Sequence, residues 1–467
     1  MRNVLKRGMP CLENIDQAMI IYAGFFLCLC ALMAIEPVYF VLTQTTAGDI
    51  FRVLVYVAGL ALLTVDRIRQ RRIITSKNVV WLTGLSIALL ISECIHCQYI
   101  HWITLAKQCG KSTILIFVLY TAGMRMTRSK QIRFLRILYG GISAVYIPLI
   151  CYMFYQFLTL EHYVWNNVDQ GWFEGRLYGI MISPYAGAVI VAILAFGAGV
   201  LLHHSRGWLK ALYIVELIIY VIFLALSDTR TVYVACAVGL GFLVLWYVCR
   251  IDKEEKCSRR LGKGFLVFIL IIVGMFVSIK GIRAAGMLLA RTINQKAASF
   301  SDFSVEQDRP QNTTFTSRRA FIWESYFDIL TDKPENFLFG LSLSGSSSLI
   351  RENYSDSYIV DSFQHLYPEK YAAGEVYEPH NTYLGVWVHT GIFGLGFLLM
   401  FLFVSIREPV KKLIHGNLSR FEAVLMASLL MILSAGLFED DPFFSLTIIT
   451  CVFWICNGFL QNPYRKV

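Results

Sequence analysis

Residues 177–202 read LYGIMISPYAGAVIVAILAFGAGVLL and contain no Asp, Glu, Lys or Arg. As an α-helix, a run of about 20 apolar residues is long enough to cross the ~30 Å hydrocarbon core of a bilayer. A charged side chain is costly in that core, and none interrupts this run. The stretch therefore predicts a membrane-spanning helix, and similar runs recur along the whole chain.

The composition of the chain is that of a membrane protein. Of its 467 residues, 56% are hydrophobic and 16% are charged, whereas an ordinary soluble domain has about 45–50% apolar and about 25% charged residues. The apolar runs predict an all-α polytopic membrane protein with about twelve transmembrane helices. The predicted spans cover residues 18–35, 51–65, 79–97, 112–124, 137–158, 177–202, 211–227, 231–248, 265–279, 381–406, 422–437 and 443–460.

The basic residues predict how the chain is oriented in the membrane. The two termini and the loops on their side hold 27 of the 42 Lys and Arg residues. Cytoplasmic loops are enriched in these residues, so both termini are expected in the cytoplasm. The predicted organisation is transmembrane helices 1–9 in residues 1–279, one large extracytoplasmic loop in residues 280–379, and transmembrane helices 10–12 in residues 380–467. Helical spacing of apolar residues over Ser317–Asp332 makes this loop partly helical.

The same topology explains the formal net charge of +10, because the basic residues cluster in short loops between apolar runs. A nucleic-acid-binding protein would be expected to show a basic and aromatic stripe or a known motif, and neither stands out. No nucleic-acid partner is therefore expected. The bilayer itself is the expected environment for most of the chain.

No nucleotide, metal or cofactor site is expected either. The sequence lacks the GxxxxGK[ST] loop, the GxGxxG turn and HExxH. Cys94 and Cys97 form a single pair with no second pair to complete a metal site. Glu439, Asp440 and Asp441 form a tight acidic cluster, which we interpret as an uncompensated acidic cap on a turn rather than as a metal site.

Residues 378–394, EPHNTYLGVWVHTGIFG, pass from a polar loop into an apolar helix and contain two histidines. If the helix starts directly before His380, steps of about 100° place Gly391 about 20° and Gly394 about 40° from it, and His389 about 180° away. Small residues let a second helix approach closely, so this stripe would hold His380 rigidly at the membrane boundary. His380, with an ordinary pKa of about 6.5, is the candidate general base, and His389 is interpreted as structural.

Arginines on the predicted outer side form a second candidate set. Arg176 precedes the sixth predicted span, Arg230 lies in the short turn between the seventh and eighth, and Arg318 and Arg319 lie on the predicted loop helix. Each alone is explained by reaching the interface or by pairing with a carboxylate, such as Asp228 with Arg230. Together they predict a shared anionic ligand, because the guanidinium fork binds phosphate oxygens bidentately.

The histidine segment also carries a spaced motif. His380 and Asn381 are followed after nine residues by Gly391, and after two more by Gly394. This spacing resembles the histidine motif of the O-antigen ligase and polymerase family, whose members are multispan bacterial glycosyltransferases of the GT-C type. The resemblance implies that Asn381 and the two glycines support His380.

Three further segments resemble the same family. ALSDTRTVYVACAVG resembles its arginine-containing turn, GRLYGIMISP resembles its arginine before a span, and SRRAFIW resembles its loop arginines ahead of a tryptophan. The likeness runs from about Arg176 to about Leu402, and the first five predicted spans resemble nothing specific. Tyr185 and Asp228 depart from the family pattern, and these departures bear on substrate preference rather than on the type of reaction.

The resemblance implies a metal-independent, inverting glycan transfer at the outer face of the bacterial cytoplasmic (inner) membrane. The donor would be a glycan on a polyprenyl pyrophosphate of the undecaprenyl type, and the acceptor hydroxyl would belong to a glycan or to a lipid or cell-wall anchor. Arg176, Arg230 and either Arg318 or Arg319 would bind the pyrophosphate, and His380 would take the proton from the acceptor or orient it. A chain-length regulator and other polysaccharide-assembly proteins are the expected protein partners.

Other functions compete with this one. A transporter or flippase for lipid-linked saccharides should show paired polar residues at the bilayer midplane and internal repeats, whereas the polar residues here lie at the predicted outer boundary. A protein O-glycan ligase would use the same site on a protein hydroxyl. A non-catalytic scaffold would use the loop to bind a partner. The sequence leaves ligase and polymerase open as well.

Overall fold

The computed structural model describes residues 10–70, 77–165, 168–173, 175–251, 257–293, 317–439 and 443–461. Most of these residues are helical. Before a short sheet the chain forms α1 (Pro10–Leu32), α2 (Glu36–Gln44), α3 (Thr46–Gln70), α4 (Lys77–Ile95), a 3₁₀ turn (Cys97–Tyr99), α5 (Trp102–Thr113), a π-helical segment (Ile114–Leu119), α6 (Tyr120–Arg125) and α7 (Arg128–Thr159). After the sheet come α8 (Pro184–His204), α9 (Trp208–Ser227), α10 (Arg230–Ile251), α11 (Cys257–Ile293), α12 (Ser317–Asp332), α13 (Pro334–Phe339), α14 (Ser346–Asn353), α15 (Tyr358–Leu366), α16 (Pro368–Ala372), α17 (Thr382–Ile414), α18 (Arg420–Ala435) and α19 (Ile448–Leu460).

Within these described ranges, nine helices are long and apolar enough to cross a membrane by length and composition. Eight of them precede the large loop, and α17 follows it. The other three predicted spans fall on shorter or interrupted segments, namely α5 with the π-helical segment and α6, α18, and α19. The prediction of an all-α polytopic membrane protein is confirmed.

The short helix α19 is buried along its whole length. It lies against α6 at close distance, because a Cβ added to Gly123 would be 2.5 Å from the Ile455 carbonyl oxygen. A Cβ added to Gly458 would be 2.3 Å from the Tyr120 carbonyl oxygen. Small residues allow this backbone contact between helices. A helix of only 13 residues therefore serves as a central packing element.

The sixth predicted span starts later than expected. Residues 176–183 are not helical, and a three-stranded antiparallel sheet of β1 (His162–Trp165), β2 (Val168–Phe173) and β3 (Arg176–Gly179) precedes α8. Gly179 has φ +62, and a Cβ there would lie 2.0 Å from Met153 Sδ, so an L side chain does not fit. The helix begins at Pro184 because proline suits the first helical position, and Ser183 caps it by accepting from Ala186 N at 3.1 Å. Arg176 thus lies on a strand and does not open a helix.

The helix that enters the large loop ends later than expected. The ninth span was predicted to end at residue 279, but α11 continues to Ile293. The start of the predicted loop, residue 280, therefore lies inside a helix. Arg283, which the sequence prediction placed in the loop, lies on this helix.

Residues 317–379 fold into a small helical unit on the first turns of α17. The helix predicted over Ser317–Asp332 is confirmed as α12. The buried side chains of the unit include Ile322, Ile329 and Ile359, which form one cluster with Leu384 of α17. The loop and α17 therefore share a hydrophobic core, and this core fixes the loop against the start of α17.

Candidate functional site

His380 lies directly before α17 and outside it. Its backbone is left-handed, with φ +46, so the assumption of a helix starting before His380 was wrong. The helix starts at Thr382 because the Asn381 side chain caps it, accepting from Tyr383 N at 3.0 Å and Leu384 N at 3.1 Å. Asparagine is among the best N-cap residues, since its side-chain oxygen satisfies free N–H groups of the first turn. Asn381 thus fixes the direction in which the chain leaves His380.

The predicted glycine stripe is interrupted. Gly391 has φ 68 and ψ −178, so α17 is kinked there and the angles computed for a straight helix do not apply. A Cβ on Gly391 would lie 2.0 Å from the Leu338 carbonyl oxygen of α13. The close approach at Gly391 is therefore made by the loop, not by a second span as predicted. Gly394 does face a second span, since its Cβ would lie 3.4 Å from Ala88 Cβ of α4.

Two loop residues of α12 hold the backbone that leads into His380. Trp323 Nε1 donates to the Pro379 carbonyl at 2.8 Å, and the Tyr326 hydroxyl donates to the Tyr377 carbonyl. On the other side of His380, Thr382 N donates to the Gly436 carbonyl at 2.7 Å, directly after α18. Hydrogen bonds from two separate elements therefore determine where the imidazole lies.

An acidic residue, Glu439, joins the histidine and arginine candidates. Its carboxylate accepts from Arg319 Nη2 at 3.1 Å and lies 4.0 Å from His380 Nδ1. The Thr231 hydroxyl, one residue after Arg230, donates to the same carboxylate at 3.5 Å. The expectation of an uncompensated acidic cap was therefore wrong for Glu439, because Arg319 pairs with it. Asp440 and Asp441 lie outside the described residues.

The charge state of this group follows from burial. Burial, together with the positive charge of Arg319, lowers the pKa of His380 from its ordinary value to about 4. Burial raises the pKa of Glu439 above its ordinary value, although Arg319 acts in the opposite direction. Glu439 lies near His380, but burial and the charge of Arg319 have the larger effect on the pKa of the imidazole. The imidazole is therefore neutral at physiological pH, and its side chain is 37% exposed, so a substrate can reach it.

A second ion pair lies on the same turn as Arg230. Asp228 pairs with Arg283 Nη1 of α11 at 2.5 Å, so the predicted alternative of an Asp228–Arg230 pair was wrong. Arg283 Nη2 also donates to the Gly175 carbonyl at 2.8 Å, directly before Arg176. Arg230 itself is exposed at the first position of α10. Arg283 thereby ties the strand of Arg176 to the turn of Arg230.

Arg319 and His380 lie on the same carboxylate, that of Glu439, and Arg176 and Arg230 each lie next in the chain to a residue that takes part in these contacts. Arg283 pairs with Asp228, two residues before Arg230, and donates to the Gly175 carbonyl, directly before Arg176. Glu439 accepts from Arg319 and from Thr231, directly after Arg230, and lies 4.0 Å from His380 Nδ1. Arg318 lies on α12, but its side chain is outside the described residues. His389 is not part of this group: its Nδ1 lies 3.3 Å from the Ser342 carbonyl oxygen, as the structural interpretation of this residue expects.

Sequence reasoning missed Arg283 and underrated Glu439. Arg283 was missed because the ninth span was predicted to end at residue 279. The apolar pattern returns over residues 284–290, AAGMLLA. A guanidinium on a membrane-boundary helix is costly without a partner, and this cost was the available signal. No residue near Glu439 in the sequence indicated its ion pair, since its partner Arg319 is 120 residues away.

We expect Arg283→Gln to lower the free energy of unfolding by about 1–2 kcal/mol, because Asp228 would keep its charge without a partner. The double variant Asp228→Asn/Arg283→Gln should cost less than the sum of the two single changes. Denaturant unfolding of the purified protein in micelles measures all three values. Lys280→Gln, which removes an exposed charge on the same helix, is the control. Strict additivity of the two changes would contradict the pairing.

The fold and the site define a class: a polytopic α-helical membrane protein with a histidine, an acid and several arginines at one end of its helices. Residues 215–399 of the 467-residue chain match the family model described as O-antigen ligase, and this match supports the O-antigen ligase family for the matched segment. The matched segment includes Arg230, Arg283, Arg319 and His380, whereas Arg176 lies outside it. No curated protein and no solved structure matches the chain.

Proposed function

We propose that this protein is a membrane glycosyltransferase of surface polysaccharide assembly. It transfers a glycan from a polyprenyl-pyrophosphate donor of the undecaprenyl type to an acceptor hydroxyl, as an O-antigen ligase or polymerase does. The observation that carries the proposal is the connection of a neutral His380 to the turn of Arg230 through Glu439 and Arg319. These contacts support a site in which a proton acceptor lies near the guanidinium of Arg319, a cation for a phosphate leaving group.

The arginines serve the leaving group. Arg176, Arg230 and Arg319 would contact the pyrophosphate oxygens, and each guanidinium can bind two oxygens at once. Charge develops on the pyrophosphate as the glycosidic bond breaks, so cations fixed there lower the barrier. Arg283, which pairs with Asp228, is a positioning residue for the turn. Arg318 remains a further candidate for the same role.

His380 serves the acceptor. The acceptor oxygen attacks the anomeric carbon, the bond from this carbon to the pyrophosphate oxygen breaks, and His380 takes the hydroxyl proton. A single in-line displacement of this kind inverts the anomeric configuration. The negative charge of the bound donor raises the pKa of a neighbouring imidazole, so donor binding makes His380 a stronger base at the moment it is needed. The residues named here need no metal or cofactor for these roles.

The location follows from the charge distribution. The rule that basic loops stay in the cytoplasm supports cytoplasmic termini and a site at the outer face of the bacterial cytoplasmic membrane. No ATP is available at that face, and a lipid-linked pyrophosphate donor brings its own activation. Polysaccharide-assembly proteins such as a chain-length regulator are the partners that such an enzyme would meet.

Reconstitution tests this proposal. The purified protein is mixed in vesicles with a polyprenyl-pyrophosphate glycan and a glycan acceptor, and free polyprenyl pyrophosphate and elongated product are quantified. We expect both to rise together, with an inverted anomeric configuration in the product. Movement of the intact donor across the vesicle membrane without any release of polyprenyl pyrophosphate would instead support a transporter. Product on a protein hydroxyl would support a protein O-glycan ligase.

The pH dependence of kcat/KM should report the lowered pKa of His380. Transfer is expected to persist from neutral pH down to about pH 5 and to fall as the pH drops through about 4, where the imidazole becomes protonated. Arg319→Gln removes a positive charge that lowers this pKa, so the acid limb should move to higher pH. Arg319→Lys keeps the charge and should leave the limb in place. An unchanged limb in Arg319→Gln would contradict the effect of the Arg319 charge on the titrating group.

A further inference from the structure

A second group of basic side chains lies in the first half of the chain, outside the segment that matches the family model. Arg52 of α3 and Lys107 and Lys111 of α5 line a cavity of about 150 Å³. Asp49 pairs with Arg52 and, at 3.0 Å, with Lys107. Among the described residues, the cavity wall therefore carries three positive charges and one negative charge.

The polar atoms of this wall are incompletely bonded. Arg52 Nε and Gln108 Oε1 are buried and have no hydrogen-bond partner in the described part of the chain. The ammonium of Lys111 forms no hydrogen bond or ion pair with any described residue. Buried polar groups without partners are rare, and an excess of positive charge in a cavity favours an anion. Arg52 Nε and the Lys111 ammonium are donors of the kind that a phosphoryl group requires, whereas Gln108 Oε1 is an acceptor and does not contribute to anion binding.

The cavity is coupled electrostatically to the segment that carries His380. The charge of Lys111 acts on Glu378, two residues before His380. Glu378 in turn acts on Glu439, the partner of Arg319. The segment that carries His380 therefore interacts electrostatically with Lys111 through Glu378 and with Arg319 through Glu439.

The predicted topology makes these charges unusual. Of the 42 Lys and Arg residues, 15 lie on the predicted outer side, and ten of these belong to residues 280–379. Short outer loops normally avoid basic residues, so the others need a reason. Those five are Arg52, Lys107, Lys111, Arg176 and Arg230. Two of them are assigned to the donor pyrophosphate, and the remaining three are the cationic residues of the cavity.

On the basis of the glycosyltransferase function proposed above, we propose that this cavity is a second anion site, which binds a phosphoryl group of the acceptor. In the proposed function the arginines neutralise the pyrophosphate of the donor. The positive charge of the cavity is then explained by an anionic group on the second substrate, the acceptor. Contacts of Arg and Lys with phosphate oxygens are charge-assisted and strong. Two acceptor lipids carry this chemistry: a second polyprenyl-pyrophosphate glycan and a phosphorylated glycolipid.

Lys111→Met tests the site, because it keeps the aliphatic stem and removes the ammonium. The acceptor KM is measured for each phosphoryl-bearing lipid and for the same glycan on a neutral alkyl anchor. The preference for the phosphoryl lipid over the neutral one should fall by about tenfold or more, as expected for the loss of one charged hydrogen bond. Lys333→Met, an exposed lysine of the loop with the same change in charge, is the matched control and should keep the wild-type preference.

The two acceptor lipids distinguish the source of the phosphoryl group. An effect confined to the polyprenyl lipid supports the site in a polymerase, and an effect confined to the phosphorylated glycolipid supports it in a ligase. A wild-type preference in Lys111→Met would overturn the site. A rise in the donor KM without a change in acceptor preference would also overturn it, because the cavity would then belong to the donor.

A binding measurement separates this proposal from the proposed function. Thermal stabilisation is recorded with each phosphoryl-bearing lipid as the single added ligand, for the wild type and for Lys111→Met. If the wild type transfers no glycan but is stabilised in a Lys111-dependent way, the transferase proposal fails and the anion site stands. If transfer occurs and neither preference nor stabilisation depends on Lys111, the anion site fails and the transferase stands.

Discussion

Replacing His380 is expected to reduce glycan transfer by about 10²–10⁴-fold, the usual contribution of a general base. His380→Asn is the preferred variant, because this backbone has φ +46 and asparagine tolerates the left-handed region better than most residues. Loss of activity would then reflect the missing base and not a strained backbone. The measurement is the turnover of a polyprenyl-pyrophosphate glycan by purified protein.

His365→Asn provides the matched control for this change. His365 is an exposed histidine of the loop helix α15, and it has no place in the site described here. We expect wild-type turnover for this variant, and an unchanged donor KM for His380→Asn, since the arginines that bind pyrophosphate remain. Wild-type turnover of His380→Asn would refute the assigned chemistry.

Gly391→Ala is expected to have the largest effect on stability, a loss of at least about 3 kcal/mol. Two independent reasons add up here. The backbone has φ 68, which is unfavourable for any L side chain, and the new Cβ would lie 2.0 Å from the Leu338 carbonyl oxygen. The nearest atoms all belong to the backbone of Leu338 and Phe339, so there is no flexible side chain to move away. Thermal unfolding and the folded yield in detergent measure the effect.

Gly396→Ala on the same helix is the control for this prediction. A Cβ at Gly396 meets nothing within 4 Å, so the only change is the gain in helix propensity, about 0.5–1 kcal/mol. The two variants should therefore move the unfolding temperature in opposite directions. Equal unfolding temperatures for Gly391→Ala and the wild type would show that the loop does not approach α17 at this point.

The close contact at Gly391 connects stability with the site. Gly340, with φ +77, approaches the same turn from the loop side, and Leu341 N donates to the Val388 carbonyl at 2.5 Å. The loop that carries Arg319 is thereby fixed on the helix that follows His380. Gly391 of the histidine motif is thus the point at which the loop with Arg319 contacts the helix that follows His380.

Local patterns in the sequence determined much of this protein. The apolar runs established the all-α membrane class, because each run must satisfy its own backbone hydrogen bonds inside the bilayer. The spacing of apolar residues predicted α12. His380 and Arg230 were identified as candidates from their chemical type and their position near span ends, and Arg319 from its type and its position on the predicted loop helix. All of these depend on residues that are neighbours in the sequence.

Tertiary structure decided the rest, because it depends on pairs that are far apart in the sequence. The left-handed conformation of His380 and the kink at Gly391 arise from contacts with the loop, so a helical projection of the segment misplaced both. The pairing of Arg319 with Glu439 and of Asp228 with Arg283 required the packing of separate helices. The sequence by itself determined which side chains are chemically able to act in the site. Only the packing of helices determined which of them share a partner, because the periodicity of a sequence carries no information on contacts between distant residues.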